Sequence, residues 1–266
     1  MLALRLRALV PVLLAVGLSV SVVGSLGAPL LPSMAVDLHA SASSVQWALT
    51  ATVLVGAVAS PLTGRLADGP HRTTVIVTCL ACVVLGGVVA ALADSVATLV
   101  AGRAMQGMGL AVMPLTMAAA RAHLPESRSP RVIAALSVAG AAGVGLGYPI
   151  TGLVAERFDV AGAFWFGALL SAVAFALAFL LPRPERATSV ARPDLAGAAL
   201  IGAAVVMILL GLEKAPDWGW LAQRTLAFES VGVALVGTWI WHELRVPNPL
   251  VDLRLLRHRA VMTANV

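Results

Sequence analysis

Residues 8–31 read ALVPVLLAVGLSVSVVGSLGAPLL and contain no charged side chain. A helix needs about 20 mostly apolar residues to cross the hydrocarbon core of a bilayer, whereas the apolar core of a secretory signal peptide is shorter. The stretch therefore predicts a first membrane span rather than a cleaved signal. A helix is the required form, because its backbone hydrogen bonds close internally where lipid offers no partner.

Similar apolar runs recur along the whole chain. They lie at about 45–63, 74–93, 97–120, 132–155, 160–181, 195–212 and 222–242. The composition agrees, with 59% hydrophobic and only 12% charged residues, whereas soluble chains carry about 25% charged residues. The sequence predicts an all-α, polytopic membrane helix bundle whose surroundings are the lipid bilayer.

Most of the 18 Lys and Arg residues fall in alternate connections between these runs. The richer connections hold Arg5, Arg7, Arg65, Arg72, Arg121, Arg128, Arg131, Arg183, Arg186, Arg192, Arg245, Arg254, Arg257 and Arg259. The other connections hold Arg157, Lys214 and Arg224. Because positive charge is retained on the cytoplasmic side, we expect a multi-pass protein of the cell membrane with a cytoplasmic amino terminus.

Several function classes lack the residues that they need. The net charge of +5 is not gathered in a basic run, which disfavours nucleic acid as a partner. Cys79 and Cys82 lie within a span without a second Cys or His pair, and the histidines lie in loops or at span ends, so we expect no metal and no cofactor. Paired acids or a Ser/His pair at common depth are missing, so we do not expect an enzyme.

Arg103 is the strongest functional signal in the sequence. It lies inside the fourth span, where a charge costs at least ~2.5 kcal/mol and normally faces a bundle interior or a water-filled cavity. Gln106 and Gly107 follow at the i+3 and i+4 positions, on the same helical face. The alternative is an Arg103 that lies nearer the outer interface and extends its head group to water, since Asp94 is close in sequence.

Glu229 is the acidic residue that the predicted spans enclose. An ionisable side chain inside a span is by default a candidate for proton relay or for binding a cationic substrate. Its distance from the span end is small, so a carboxylate at the membrane interface is an equal alternative.

Small residues recur at helix-packing spacing in two spans. Pairs four residues apart let two helices approach closely. Such residues are Gly56, Ser60 and Gly64 in the second span, and Gly143 and Gly147 in the fifth, which also contains Pro149 and Gly152.

The loop after the second span and the fourth and fifth spans resemble motifs of the major facilitator superfamily, in its fourteen-helix drug/proton antiporter branch. The loop motif G-x-L-a-D-r-x-G-r-k is matched at Gly64, Leu66, Ala67, Asp68 and Arg72; the fourth-helix motif R-x-x-q-G-x-g at Arg103, Gln106, Gly107 and Gly109; and the fifth-helix antiporter motif at Gly143, Gly147, Pro149 and Gly152. The resemblance covers essentially the whole chain.

The resemblance implies a secondary transporter that works by alternating access of two helical bundles around a central cavity. It implies proton-coupled export of a small amphipathic compound or drug, a cytoplasmic gate at Gly64, Asp68 and Arg72, and a part for Arg103 in proton coupling. Glu229 is a possible substitute for the acid that this branch usually carries in its first helix, since residues 20–31 contain none. Tyr148 separates Gly147 from Pro149, where the usual motif has a Gly-Pro step.

The resemblance also predicts a division of the chain. We expect a six-helix amino-terminal bundle at 1–181, a cytoplasmic linker at 182–194, and two further helices at 195–266 that begin a truncated carboxyl-terminal part. A complete transporter of this family has a second bundle, which would be a further partner. The alternative function is a non-transporting membrane scaffold or a degenerate transporter fragment.

Overall fold

A computed structural model of the protein describes residues 2–67, 71–182, 194–247, 249–250 and 253, with side chains from residue 8 onward. The regular structure in these residues is helical. The helices are α1 (Leu2–Ser25), α2 (Gly27–Asp37), α3 (Ala42–Ala67), α4 (Arg72–Ala91), α5 (Val96–Gln106), α6 (Gly109–His123), α7 (Ser129–Ala178), α8 (Leu195–Trp218) and α9 (Gln223–Glu243). The expected all-α membrane fold is confirmed.

In the described part of the chain, 6 helical stretches are long and apolar enough to cross a membrane. They are Ala8–Asp37, Ala42–Ala67, Arg72–Ala91, Val96–His123, Ser129–Ala178 and Leu195–Trp218. The first joins α1 to α2 across a break at Leu26, and the fourth joins α5 to α6 across a break at Gly107 and Met108. Both stretches run past the predicted ends of their spans.

Helix α7 contains two of the predicted spans. Its 50 residues are interrupted at Phe158 and Asp159, whose backbone is not helical. Asp159 has φ +61°, a conformation that Asp tolerates better than most side chains. Its carboxylate accepts the Gly162 N–H at 2.9 Å and so caps the segment that follows. The interruption lies between the predicted spans 132–155 and 160–181.

The eighth predicted span, 222–242, is present as helix α9 (Gln223–Glu243). It is not among the stretches that meet the length and hydropathy requirements for a span. Polar residues within it, among them Glu229, Ser230 and Thr238, lower its mean hydropathy. Its path across the membrane stays a prediction.

The chain divides into two compact units, Met1–Ser189 and Val190–Val266. In the first unit, α1 lies against α6 and α7 and buries the apolar side chains of Leu9, Leu13 and Val16. In the second unit, α8 packs along α9. The predicted boundaries at 181 and 195 stay predictions, since most of the linker lies outside the described residues.

Candidate functional site

The Arg103 side chain lies inside the first unit, with only 1% of its surface exposed. Its Nη1 donates to the Gln106 Oε1 at 2.7 Å and, at the longer distance of 3.5 Å, to the Val23 carbonyl oxygen. The i, i+3 relation expected from the sequence is therefore a direct hydrogen bond. The guanidinium is enclosed by the helices of the first unit, and its depth in the membrane stays a prediction.

Close helix contacts hold Arg103 in this position. A methyl group built on Gly102 would lie 2.6 Å from the Ala90 nitrogen and 2.7 Å from the Gly86 carbonyl oxygen. These are backbone atoms, so α5 can approach α4 this closely only where both helices carry glycine. The residue before Arg103 thereby fixes the rotation of α5 against α4.

Helix α3 closes the opposite side of the Arg103 segment. Thr52 Oγ1 lies 2.8 Å from the Ala48 carbonyl oxygen of its own helix and 3.0 Å from the Arg103 carbonyl oxygen, so its one hydrogen is shared between these two acceptors. A methyl group on Gly107 would lie 2.5 Å from the Thr52 carbonyl oxygen. Gly107 thus lets α3 approach the end of α5, and its N–H still bonds to the Arg103 carbonyl oxygen at 3.1 Å.

The Arg103 charge has no carboxylate within ion-pair distance among the described residues. Its Nε and the Gln106 Nε2 are buried and without a hydrogen-bond partner in the same part of the chain. A methyl group on Gly27 would lie 2.9 Å from Arg103 Nη2, so a small residue at the start of α2 makes room for the guanidinium. A buried charge that lacks a counterion interacts strongly with any charge that appears near it, because the local dielectric is low.

Glycines of the fifth-span motif pack α7 against α1. A methyl group on Gly143 would lie 2.7 Å from Ser21 Cβ and 2.9 Å from the Leu18 carbonyl oxygen. A methyl group on Gly147 would overlap Ser25. Gly152 faces open space, with no atom within 4 Å, and Pro149 is exposed. The motif residues therefore divide between a packing face and an open face.

A cavity of about 270 Å³ lies where α1, α6 and α7 meet. Its polar side chains are Ser21 and Ser25 of α1 and Tyr148 of α7, and Gly24, Gly109 and Met113 contribute to the rest. The side chains that line it are uncharged. Such a lining suits a ligand with an apolar body and a few hydrogen-bonding groups.

The loop motif is described only in part. Arg72 donates through Nε to the Ala67 carbonyl oxygen at 3.1 Å, so it binds the last residue of α3. A methyl group built on Gly64 would have no other atom within 4 Å. Asp68 lies outside the described residues, and its place in a gate stays a prediction.

Glu229 belongs to the second unit, where it is turned toward α8. A methyl group on Gly211 would lie 2.6 Å from the Glu229 Oε1 and 3.1 Å from Phe228 Cβ. This oxygen is buried and has no hydrogen-bond partner among the described residues. The carboxyl group is therefore accommodated between two helices by a glycine.

A polar cluster joins the start of α8 to the end of α9. Asp194 caps α8 by accepting the Gly197 N–H at 2.9 Å, and its second oxygen lies 2.8 Å from His242 Nε2. Glu243 is buried beside them, with 2% of its surface exposed. In the sequence, His242 is marked only by its place at a span end. An Asp directly before an apolar run is a sequence signal for the start of a helix. Asp194 gives this signal, which could have indicated the cap but not the contact with His242.

Comparison with known proteins connects these features to one family. The sequence matches the Major Facilitator Superfamily across residues 13–264. A tetracenomycin C resistance and export protein of Streptomyces glaucescens is 29% identical over 253 residues, which are 93% of this chain and 47% of the relative. A methylenomycin A resistance protein of Streptomyces coelicolor is 28% identical over 94% of this chain and 52% of the relative. The chain thus spans about half the length of these relatives.

Solved structures show the same fold. The human organic anion transporter MFSD10 aligns with a TM-score of 0.57 at 20% identity, covering 88% of this chain and 71% of that one. The peptide transporter family member PepTSo aligns with a TM-score of 0.57 at 16% identity, covering 96% of this chain and 56% of that one. At these identities the likeness concerns the fold alone.

Proposed function

Because the chain belongs to the Major Facilitator Superfamily, a family of multi-pass membrane transporters and not of enzymes, we propose that it is part of a secondary transporter that exports a small amphipathic compound in exchange for protons. Two of its relatives are named for resistance to an antibiotic. Since the chain spans about half of their length, activity, substrate and partners belong to this proposal. A second helical bundle would complete the transport path.

The observation that carries the proposal is the uncharged cavity between α1, α6 and α7. Hydroxyl groups of Ser21 and Ser25 on α1 and of Tyr148 on α7 line it, and apolar atoms make the remainder. At about 270 Å³ it is near the lower end of the sizes that hold a drug-like molecule, roughly 300–1,000 Å³. A second bundle facing it would enlarge the site.

Arg103 is proposed to couple proton movement to transport. Its charge is buried and no described carboxylate lies within ion-pair distance of it, so its electrostatic energy would respond to any acid that gains or loses a proton nearby. Gln106 and Gly107 hold the guanidinium and the helix end in place. Glu229, whose Oε1 is buried against α8, is the proposed proton-carrying acid of the second unit.

The positive residues in alternate connections support a cytoplasmic amino terminus. In that orientation the loop with Gly64, Asp68 and Arg72 lies on the cytoplasmic side. We propose that it gates the cavity from that side, with Arg72 attached to the end of α3 through its bond to Ala67.

Export by the natural gene product tests the function. Its mass in purified membranes is first determined by intact-protein mass spectrometry and compared with the 27.2 kDa of the 266-residue chain. Everted vesicles then report uptake of a fluorescent amphipathic dye with and without an imposed pH gradient. We expect uptake that a protonophore abolishes, and at least about a tenfold loss in Arg103→Ala, since one removed charge contact is worth about 1.5–3 kcal/mol.

Arg121→Ala is the matched control, because Arg121 lies on the same span but is exposed at its end. It should transport like the wild type. Equal transport by Arg103→Ala and wild type would remove Arg103 from the mechanism. A stable, membrane-inserted natural product that moves no dye under either condition would instead support the scaffold or degenerate fragment.

A further inference from the structure

Tyr148 occupies a special position in the cavity. It lies on α7 four residues after Val144, and both side chains line the space opposite Ser21 and Ser25 of α1. The tyrosine remains 46% exposed, and its hydroxyl makes no hydrogen bond with any described residue. Its ring and its hydroxyl are therefore both available to a molecule in the cavity.

The neighbours of Tyr148 hold its ring toward this space. Gly147 packs against Ser25 and the Val22 carbonyl oxygen, so that face of α7 is occupied by α1. One residue further along a helix turns the side chain by about 100°, which carries Tyr148 from the packing face to the cavity.

The opposite wall is polar, and the hydroxyl groups of its two serines already donate hydrogen bonds within α1. Ser21 and Ser25 each donate to a carbonyl oxygen of their own helix, at 2.9 Å and 2.8 Å. A hydroxyl that has donated its hydrogen still has lone pairs that accept. This wall therefore favours a ligand that donates hydrogen bonds, whereas the free Tyr148 hydroxyl can also donate to a ligand carbonyl.

The remaining lining favours a flat ligand without charge. Gly24 presents no side chain, which leaves a shallow surface on α1. Met113 places a thioether in the same space, and sulfur contacts aromatic rings favourably. Among the described residues, no charged side chain lines the cavity, so an ionic ligand would lose its hydration without compensation.

From this arrangement we propose that Tyr148 is a specificity-determining residue, which selects uncharged, planar aromatic compounds that carry a carbonyl and a hydroxyl group. The ring of such a compound would stack on the tyrosine ring, and the two hydrogen-bonding groups would face the phenol and the serines. The inference names a substrate class for the proposed exporter and rests on that function.

Tyr148 is the only tyrosine in the sequence, so a label on tyrosine reports on this one position. The full chain, labelled with 3-fluorotyrosine and held in lipid nanodiscs, should give one ¹⁹F resonance. We expect 3-hydroxyflavone, a neutral planar aromatic ketone, to shift this resonance in a saturable manner. The compact saturated alcohol 1-adamantanol should leave it unchanged.

Affinities for 3-hydroxyflavone, measured from its own fluorescence, test the separate contributions of ring and hydroxyl. Tyr148→Phe should bind about fivefold more weakly through the lost hydrogen bond. Tyr148→Leu loses the aromatic ring as well and should bind up to about tenfold more weakly than Tyr148→Phe, the upper range of an aromatic pair. Leu153→Ala, on the same helix at an exposed position outside the cavity, is the matched control and should bind like the wild type.

Equal affinity of the wild type and both Tyr148 variants for 3-hydroxyflavone would overturn the inference and leave the export function standing. A wild-type protein that prefers 1-adamantanol would overturn it as well. Tyrosine-dependent flavone binding by a natural product that exports nothing would overturn the proposed function and support the inference about the cavity.

Discussion

Replacement of Gly143 by Ala tests the contact between α1 and α7. The added methyl group would lie 2.7 Å from Ser21 Cβ and 2.9 Å from the Leu18 carbonyl oxygen. Neither atom can rotate away, because one is a Cβ and the other belongs to the backbone. Since carbon atoms pack at about 3.5–4.0 Å, the two helices would have to separate locally by about 1 Å.

Overpacking of this kind costs about 1–3 kcal/mol, but alanine also favours a helix over glycine by about 1 kcal/mol. Gly145→Ala isolates the first effect, because Gly145 lies two residues further along α7 with no atom within 4 Å. The helix-propensity gain is common to both variants and cancels in their difference. Gly143→Ala should therefore have a free energy of unfolding about 1–3 kcal/mol below that of Gly145→Ala.

Thermal unfolding of the purified full chain in detergent measures this difference. A change of 1 kcal/mol moves the Tm of a chain of this size by roughly 2–4 °C. The Gly143→Ala protein should unfold several degrees below the Gly145→Ala protein, which should equal or exceed the wild type. Coincident Tm values for the two variants would refute the close approach of α1 and α7 at Gly143.

Three further substitutions should change thermal stability in the same assay. Asp194→Ala removes a helix cap and the histidine contact and should cost about 1–2 kcal/mol; Asp217→Ala, which breaks an exposed ion pair, should cost less than about 1 kcal/mol, and equal losses would contradict the cap. Thr52→Val removes the hydroxyl that bonds to the Ala48 and Arg103 carbonyl oxygens and should cost about 1 kcal/mol; an unchanged Tm would show that these bonds contribute nothing. Gly86→Ala, whose methyl group would lie 2.5 Å from a backbone oxygen of α5, should lower the Tm as Gly143→Ala does, and a rise would exclude the close helix crossing.

The sequence predicted the helices because membrane helices have a strong physical requirement, although a path of α9 across the membrane stays a prediction. A lipid-exposed backbone must be hydrogen-bonded internally, so a long apolar run permits one structure. The ends were less well predicted. The first span continues to Asp37 and α8 continues to Trp218, because a helix can extend beyond the hydrocarbon into the interface, where apolarity no longer marks its length.

Helix rotation and distant contacts were beyond the reach of the sequence pattern. The spacing of Arg103 and Gln106 gave a common face, but the direction of that face depends on the glycine contact between α4 and α5. The contact between Asp194 and His242 joins residues 48 positions apart. No local sequence pattern around either residue indicates this contact, because only the packing of α8 against α9 brings the two residues together.

The glycines of α7 explain how Tyr148, which departs from the family motif, comes to face the cavity. Gly143 and Gly147 obey the motif and bring α7 against α1. Because they fix the rotation of the helix, the side chains at 144 and 148 must turn into the adjoining cavity. A larger side chain at 143 or 147 would separate the helices and change the width of that space. Specificity at Tyr148 therefore depends on packing by its neighbours, and Gly143→Ala should weaken flavone binding even though Gly143 does not line the cavity.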